Sequence, residues 1–230
     1  MVEYLEWDSN FFNLRIGKSI VSSQLELNNL AKMHSILSQK YDLVYIFAQK
    51  GLLAPYGDYS LVDQKTIYKT NIETVCDPID DCIIQYEDNY VTKDLLELAL
   101  VSGEYSRFRL DKRLPDDAYE RLYSCWIEQS VKHVIATEIF CYMIDGKPKG
   151  VLTLNRKGSK GIIGLVATDP NSQGNGIGSA LLQYVKIFCA KNDVVELSVA
   201  TQLRNKAACH LYEKAGFIIE SCTDVWHWWL

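Results

Sequence analysis

Apolar and polar positions in the first hundred residues alternate between strand-like runs and helical stretches. Residues 16–21 and 42–48 are short apolar runs that predict strands, and residues 25–37 between them have the spacing of an amphipathic helix. This order predicts a βαβ-like unit. Residues 61–72 predict another strand and residues 93–101 another helix.

Turn-rich segments at residues 51–59 and 77–81 interrupt this pattern and leave the order of the elements around them open. The pattern becomes sharper after about residue 102, where we place a domain boundary. The expected division is an N-terminal α/β part over residues 1–101 and a C-terminal part over residues 102–230.

The C-terminal part carries a nearly continuous series of predicted elements. Pro115-Asp116-Asp117 opens an amphipathic helix that runs to about Val131. Asp145-Gly146 between two β-rich runs predicts a hairpin of antiparallel strands over residues 139–144 and 150–154. The remaining predictions are a strand over 162–167, a helix over 177–191, a strand over 194–199, a helix over 205–215, and closing strands over 217–219 and 225–229.

Composition excludes several classes of protein. The 230 residues are 48% hydrophobic and 23% charged, so a folded core is expected, and the net charge of −5 without a dense basic run argues against a nucleic-acid partner. The start of the chain lacks the pattern of a signal peptide, and the longest apolar runs fall short of a membrane span of ~20 residues. We therefore expect a cytoplasmic protein with no membrane partner.

The seven cysteines are scattered along the chain, and none of them forms a Cys-x-x-Cys pair or a Cys/His cluster with the spacing of a zinc site. We interpret them as reduced packing residues and expect no metal. The sequence leaves a homodimer open.

A glycine-rich segment between a predicted strand and a predicted helix is the first candidate for chemistry. Its sequence is Gln173-Gly174-Asn175-Gly176-Ile177-Gly178. Glycines allow positive φ and close approach of a ligand, while free N–H groups at a helix start attract a phosphate. Such a loop is suited to bind a pyrophosphate.

Other interpretations of this loop are weaker. A Walker loop requires a lysine where Ser179 follows Gly178. A Rossmann loop follows the first strand of its domain, whereas this loop comes late in the chain, and Glu196 lies centrally in a strand where it is poorly placed for a ribose. A plain glycine-rich turn stays open as an alternative.

A second motif follows downstream, from Asn205 to Phe217, in the sequence Asn-Lys-Ala-Ala-Cys-His-Leu-Tyr-Glu-Lys-Ala-Gly-Phe. Asn205 suits a helix N-cap, Ala208 and Tyr212 share one helix face with it, and Gly216 suits the helix end. Tyr212 on its own is also consistent with a half-buried packing tyrosine.

Together the two motifs resemble the GNAT superfamily, with its Arg/Gln-x-x-Gly-x-Gly/Ala pyrophosphate loop and its Asn-x-x-Ala-x-x-Leu-Tyr segment. The resemblance implies an α/β (α+β) fold with a mixed central sheet flanked by helices, and a smaller related N-terminal part. It also implies an N-acetyltransferase that uses acetyl-coenzyme A as co-substrate.

The resemblance further implies roles for individual residues. Backbone N–H groups in a bulge near Leu165 and Val166 would stabilise the developing negative oxygen of the thioester, with the pantetheine running between strands 162–167 and 194–199. Tyr212 would be the general acid toward the departing thiolate, although a phenol of pKa ~10 gives up its proton to a thiolate only at a cost of ~2 kcal/mol. The implied coenzyme-binding residues are Leu165, Val166, Ala167, Gln173, Gly174, Asn175, Gly176, Ile177, Gly178, Ser179 and Asn205.

Segments outside these motifs are similar to the dTDP-fucosamine acetyltransferases, which act on a nucleotide-linked 4-amino-4,6-dideoxy sugar. They are residues 5–12, 105–111, 201–202 and 226–229. The expected partner is therefore a small-molecule nucleotide sugar. Another small amine, a protein amine, or a module that binds acyl-coenzyme A without turnover are the alternatives.

No general base follows from the sequence. Arg107 and Arg109 could bind a nucleotide diphosphate, although a solvated edge explains them equally well. The candidates for a base are His133, His210, His227 and Glu138, each of which is equally consistent with a structural or surface residue. The aromatic residues that could stack on a base or a sugar, or pack in the core, are Trp7, Phe11, Phe12, Tyr105, Trp226, Trp228 and Trp229.

Overall fold

The computed structural model describes residues 1–55, 57–72 and 80–230. Cys76, Tyr56 and residues 77–79 of the predicted turns lie outside the described residues. The elements of the first 110 residues are β1 (Glu3–Tyr4), α1 (Glu6–Phe12), β2 (Ile16–Val21), α2 (Gln24–Ala31), α3 (His34–Leu37), β3 (Leu43–Gln49), β4 (Tyr59–Asn71), β5 (Ile83–Gln85), α4 (Lys93–Ser102) and α5 (Arg107–Leu110).

The C-terminal part alternates longer strands and helices, as the sequence predicts. A short 3-10 helix, Pro170–Ser172, precedes α7. The elements are α6 (Ala118–Val131), β6 (Glu138–Ile144), β7 (Lys147–Lys157), β8 (Lys160–Thr168), α7 (Ile177–Lys191), β9 (Glu196–Gln202), α8 (Lys206–Lys214) and β10 (Ile218–Trp229).

Two predictions about single elements are wrong. Residues 25–37 form two helices, because the Met33 N–H donates to the Leu30 carbonyl and this i→i−3 bond ends the α-helical ladder. The two closing strands are one strand, β10. Its polar middle hides the strand pattern, but there Asp224 is buried and accepts hydrogen bonds from the Gly51 N–H and the Gln64 side chain.

The strands form one mixed sheet in the order β1-β2-β3-β10-β4-β9-β8-β7-β6-β5. The pairs β2–β3 and β8–β9 are parallel, and α2 and α3 connect the first pair, which confirms the predicted βαβ-like unit. β4 lies inside the sheet between β10 and β9, and it pairs with both of them in antiparallel orientation. A strand from the first hundred residues thus lies in the middle of the sheet.

Helices cover both faces of the sheet, so the predicted mixed sheet flanked by helices is confirmed. One core cluster joins α4 and α6 to β3 and β6, and another joins α7 and α8 to β7, β8 and β9. The predicted boundary near residue 102 falls at the end of α4, where both parts share this sheet. The division into residues 1–101 and 102–230 stays a prediction.

Three general features bear on function. Among the described residues, no helix is long and apolar enough to cross a membrane, and no group of three or more His, Cys, Asp or Glu side chains could hold a metal ion. The six cysteines of the described part carry free thiols.

Candidate active site

A gap opens between β8 and β9, the parallel pair of strands in the C-terminal part. Their pairing ends at Ile163 and Val199. Beyond this point β8 keeps only its pairing with β7, and β9 keeps only its pairing with β4, so that β8 and β9 separate. The sequence places the gap beside residues 194–199, but it begins at Ala200, because residues 196–199 still pair with β8.

A bulge in β8 accompanies this separation. The register shifts between Ile163 and Val166, and the Leu165 N–H donates to the Thr153 hydroxyl at 2.8 Å. A Cβ at Gly164 would lie 2.7 Å from the same Thr153 oxygen, which is too close for a side chain. The pair Gly164 and Thr153 therefore fixes the shape of the bulge.

The bulge determines which N–H group faces the gap. The Leu165 and Asp169 N–H groups both donate toward β7. Since N–H groups along a strand alternate in direction, the Val166 N–H points toward the gap and the Ala167 N–H toward β7. Of the two N–H groups expected to hold the thioester carbonyl, Leu165 is thus engaged within the sheet, and Val166 is the one that faces the gap.

The predicted pyrophosphate loop lies directly before α7. Gly174 and Gly176 have φ values of 81° and 82°, which only glycine adopts without strain, and a Cβ at either position would meet nothing within 4 Å. Gly176 is the N-cap, and no side chain caps the helix. The first-turn N–H groups of Ile177, Gly178 and Ser179 therefore have no intrahelical partner, as an anion site requires.

The polar side chains of this loop are exposed and bond to the loop's own backbone. The Gln173 amide lies 3.5 Å from the Thr168 carbonyl oxygen, and the Asn175 amide donates to the Ser172 carbonyl at 3.3 Å. These bonds link the loop to the end of β8 and to the 3-10 helix. The loop thereby presents its backbone, rather than its side chains, to a ligand.

Helix α8 brings Tyr212 to the other side of the gap. The Asn205 side chain accepts from the Ala208 N–H at 3.1 Å, which confirms the predicted N-cap. Tyr212 is 4% exposed and packs near the rings of Tyr68 and Phe217. Burial raises the pKa of Tyr212, so the hydroxyl stays protonated at neutral pH.

A cleft of about 520 Å³ connects these features with the N-terminal part. Ile163 to Val166, Ala200 to Gln202, and Tyr212 line one side of it. The other side is lined by side chains that the sequence analysis did not connect: Trp7, Asp8, Asp63, Lys65, Ser102, Ser106, Arg107, Phe108, Leu122, Tyr123 and Trp126.

Asp63, on β4, is the functional candidate that the sequence analysis missed. It is only 3% exposed, and its Oδ1 atom is buried without a hydrogen-bond partner among the described residues. Burial raises the pKa of Asp63 to about 6, and the positive charges of Arg107 and Arg204 act in the opposite direction. A carboxylate tuned to this range can accept a proton near neutral pH.

The two arginines of the predicted pair do not lie together. Arg107 lines the cleft beside Asp8 and Lys65, whereas Arg109 lines a separate groove, where its guanidinium lies 5.3 Å from the centre of the Tyr119 ring. Two residues apart on a single helical turn, their side chains leave the helix in different directions. One phosphate group cannot contact both of them.

His227 is a structural residue, not a base for the cleft. It is fully buried, and its Nδ1 atom lies 2.6 Å from the Asp111 carboxylate. Burial lowers the pKa of His227 to about 4, although the Asp111 hydrogen bond acts in the opposite direction. The residues His133, His210 and Glu138 do not contribute to the cleft.

Of the predicted aromatic set, Trp7 lines the cleft, and Phe108 and Trp126 join it there. Trp7 stacks on Phe11 at 4.9 Å, and Phe12 packs in the core against Phe108. Trp7, Phe108 and Trp126 thus offer stacking positions on the side of the cleft opposite Tyr212. The other predicted aromatics, none of which lines the cleft, are Tyr105, Trp226, Trp228 and Trp229.

Two curated proteins show similarity to the chain. The dTDP-fucosamine acetyltransferase of Escherichia coli O6:H1 (strain CFT073) is 31% identical over 134 residues, which are 57% of this chain and 56% of that protein. The spore coat polysaccharide biosynthesis protein SpsD of Bacillus subtilis (strain 168) is 28% identical over 138 residues, 60% of this chain and 47% of that protein. The match therefore spans about half the length of each relative.

Solved structures share the fold at low identity. A functionally unknown conserved protein from Staphylococcus epidermidis superposes with a TM-score of 0.64 at 11% identity, covering 98% of this chain and 89% of that one. A putative GNAT acetyltransferase from Novosphingobium aromaticivorans has a TM-score of 0.54 at 16% identity, covering 86% and 79%. The acetyltransferase (GNAT) family model matches residues 100–217, just over half of the chain. The chain thus belongs to the acetyltransferase (GNAT) family, whose acyl donor is acetyl-coenzyme A.

Proposed function

We propose that the protein transfers the acetyl group of acetyl-coenzyme A to the amine of a nucleotide-linked 4-amino-4,6-dideoxy sugar. The observation that carries the proposal is the single cleft in which the Val166 N–H and Tyr212 meet the buried carboxylate of Asp63. Family membership supports the acetyl transfer. The relative named dTDP-fucosamine acetyltransferase supports the acceptor class.

The C-terminal side of the cleft fits the coenzyme. The uncapped start of α7 and the open space around Gly174 and Gly176 suit a pyrophosphate. The separated edges of β8 and β9 leave backbone groups that can pair with the amides of a pantetheine arm. Asn205 lines the same cleft next to Ala208, whose small side chain leaves room beside Tyr212.

Three groups of this chain share the chemistry in this proposal. Asp63 accepts the proton of the acceptor ammonium, so that the amine nitrogen can form a bond to the thioester carbon. The Val166 N–H donates to the carbonyl oxygen as negative charge develops on it. When the C–S bond breaks, Tyr212 donates a hydrogen bond to the departing thiolate, which takes up the second proton of the attacking nitrogen, so that the products are the amide and the free thiol. Because the pKa of Tyr212 is raised, complete transfer of its proton is uphill by more than the ~2 kcal/mol expected in water.

The N-terminal side fits an acceptor that carries both an amine and anionic groups. Asp63 and Asp8 offer negative charge to an ammonium, while Lys65 and Arg107 offer positive charge to phosphate oxygens. Trp7 offers an exposed ring for stacking. A nucleotide-linked amino sugar carries all the complementary groups, whereas a lysine side chain brings only the amine.

Acetylation of a small panel of acceptors tests the proposal. Free thiol released from acetyl-coenzyme A is measured with a dTDP-linked 4-amino-4,6-dideoxyhexose, the free amino sugar and a lysine peptide. We expect the nucleotide sugar to have the highest kcat/KM, because contacts to its remote part hold the amine in position. Equal activity on the free sugar, or preference for the peptide, contradicts the acceptor. Release of no thiol with any amine contradicts the transfer itself.

A further inference from the structure

Arg107, the first residue of α5, lines the cleft, and its guanidinium lies near the rings of Tyr45, Phe47 and Phe108. Its Cζ atom lies 4.9 Å from the centre of the Tyr45 ring and 4.4 Å from that of the Phe108 ring. Contacts of this kind restrict the plane of the guanidinium and leave its N–H edge free to bind. Contacts between the guanidinium and these aromatic rings, rather than hydrogen bonds, thus position the Arg107 side chain.

Arg107 lies near carboxylates but pairs with none of them. Asp8 and Asp63 line the same cleft, and burial raises the pKa of both carboxyl groups while the charge of Arg107 acts in the opposite direction. No described carboxylate lies within 4.0 Å of the Arg107 guanidinium. Its Nε atom is buried, and no described group accepts a hydrogen bond from it. The other N–H donors of the guanidinium also form no hydrogen bond with a described group, so the part of the side chain that lines the cleft is available to a ligand.

Buried contacts on the side away from the cleft hold the residues that position Arg107. The Tyr45 ring stacks on His227 at 4.8 Å with an interplanar angle of 24°. Asp111, directly after α5, accepts hydrogen bonds from His227 at 2.6 Å and from Trp229 at 2.9 Å. Both ends of α5 are therefore attached to β3 and β10, and Arg107 has little freedom to move away from the cleft.

We infer that Arg107 determines the acceptor specificity of this site by binding the anionic part of the acceptor, of the nucleoside diphosphate class. This inference rests on the proposed function. The planar fork of a guanidinium matches two phosphate oxygens, and Lys65 adds a second positive charge on β4. The acceptor amine then lies at Asp63, and one small molecule carries both groups.

Binding of thymidine diphosphate alone tests the inference without turnover. We expect Arg107→Gln to weaken this binding by about 10- to 100-fold, the range for losing a charge-assisted hydrogen-bonded pair. Arg109→Gln is the matched control, since Arg109 lies on the same short helix but lines the other groove. Its affinity should change by less than about twofold. Calorimetry measures both.

Kinetics and pH distinguish binding from a structural effect. In Arg107→Gln the KM for the nucleotide sugar should rise, its advantage over the free amino sugar should disappear, and the KM for acetyl-coenzyme A should stay the same. Asp63 also faces Lys65, Arg204 and Tyr123. Because the Arg107 charge lowers the pKa of Asp63, its removal should move the acidic limb of kcat/KM to higher pH. Arg107→Lys keeps the charge without the fork, so it should restore the limb but not the affinity.

The outcomes are separable. If Arg107→Gln and Arg107→Lys bind thymidine diphosphate as the wild type does, the inference is wrong while the acetyltransferase proposal stands. A wild type that does not bind thymidine diphosphate also overturns it. If the wild type binds thymidine diphosphate through Arg107 but releases no thiol with any acceptor, the proposed transfer fails and the anion site stands.

Discussion

The two sides of the cleft are built by different means. The coenzyme side is formed by backbone: a bulge at Gly164, glycines at positive φ, and free N–H groups at the start of α7. These features need specific residues at specific spacings, and all of them lie between Gly164 and the first turn of α7 at Ser179. Backbone recognition therefore leaves a local pattern in the sequence.

The acceptor side is formed by side chains from distant segments. Its charged groups come from α1, β4 and α5, which meet only because β4 is inserted between β9 and β10. Asp63 and Arg107 carry charge into a partly dehydrated space, where each costs stability until a ligand pairs with it. The coenzyme side thus recognises its ligand through the shape of the backbone, and the acceptor side does so through unpaired charged side chains.

Asp63→Asn should impair catalysis with the acceptor and leave coenzyme binding unchanged. Loss of the proton acceptor should lower kcat/KM for the acceptor by about 10²- to 10⁴-fold. In the wild type, kcat/KM should rise with pH through about 6, where Asp63 ionises, and this limb should vanish in the variant. Acetyl-coenzyme A affinity, measured by calorimetry, should be unchanged. A smaller effect is expected for Asp8→Asn, because Asp8 is less buried.

The same variant should be more stable than the wild type above pH 6. The pKa of Asp63 is about 6 in the folded protein and ~3.9 in the unfolded chain, so its ionisation disfavours folding. The contribution of protonated Asp63 to stability is therefore fully present below pH ~4 and is lost as pH rises through 6, so the difference in stability between variant and wild type should change by about 3 kcal/mol over this range. Urea unfolding at pH 4 and pH 8 measures it. Equal stabilities at pH 8 contradict a buried ionised Asp63.

Asp63 could not have been identified from the sequence. The strand that carries it was predicted, over residues 61–72, but one aspartate among polar neighbours is typical of an exposed strand. Its burial depends on pairing with β10 more than 150 residues later and on the cover that α5 provides. Four-residue α5 is too short for a periodic pattern. The sequence also did not predict β1, α1 and β5, because short elements carry too few residues for a clear periodic pattern.

Tyr212→Phe probes the coenzyme side at the leaving group. The hydroxyl should stabilise the departing sulfur, so its removal should lower kcat by about 10²-fold while coenzyme affinity stays close to that of the wild type. Tyr68→Phe is the matched control. Its ring packs near the Tyr212 ring, but its hydroxyl donates to Glu213 at 2.8 Å, so this variant should lose stability and keep its kcat. Equal kcat values for the two variants would reduce Tyr212 to a packing residue.

The coenzyme loop was predictable because its function depends on glycine itself. The spacing of Gly174 and Gly176 before a helix indicated the φ values and the free N–H groups that the structure has. The bulge position was predicted from the family resemblance, but the assignment of its N–H groups was not. It depends on Thr153, a residue of the neighbouring strand whose hydroxyl occupies the Leu165 N–H.

Gly176→Val should weaken acetyl-coenzyme A binding by about 10- to 100-fold. A β-branched residue at φ 82° is strained by more than ~1 kcal/mol, and relief of this strain would reorient the N–H groups at the start of α7. Gly146→Val places the same side chain at φ 72° in the β6–β7 turn, outside the cleft. Both variants should lose stability, but only Gly176→Val should lose coenzyme affinity by calorimetry. Equal affinities would remove the loop from the coenzyme site.

Thr153→Val should give the smallest effect, because it leaves every group that contacts a ligand in place. The Leu165 N–H loses its only described acceptor, which costs about 1–3 kcal/mol in a buried strand. The shape of the bulge then depends on packing alone, so the Val166 N–H should be held less firmly and kcat should fall several-fold.

Thr137→Val is the comparison that separates stability from chemistry. The Thr137 hydroxyl accepts from the Arg156 N–H and donates to the Leu154 carbonyl at the start of β6, away from the cleft. This variant should lose a similar amount of stability in urea unfolding with no change in kcat. If both variants have the wild-type kcat, the bulge does not position the group that stabilises the oxyanion. If both lose kcat equally, the effect of Thr153 arises from stability rather than from the orientation of Val166.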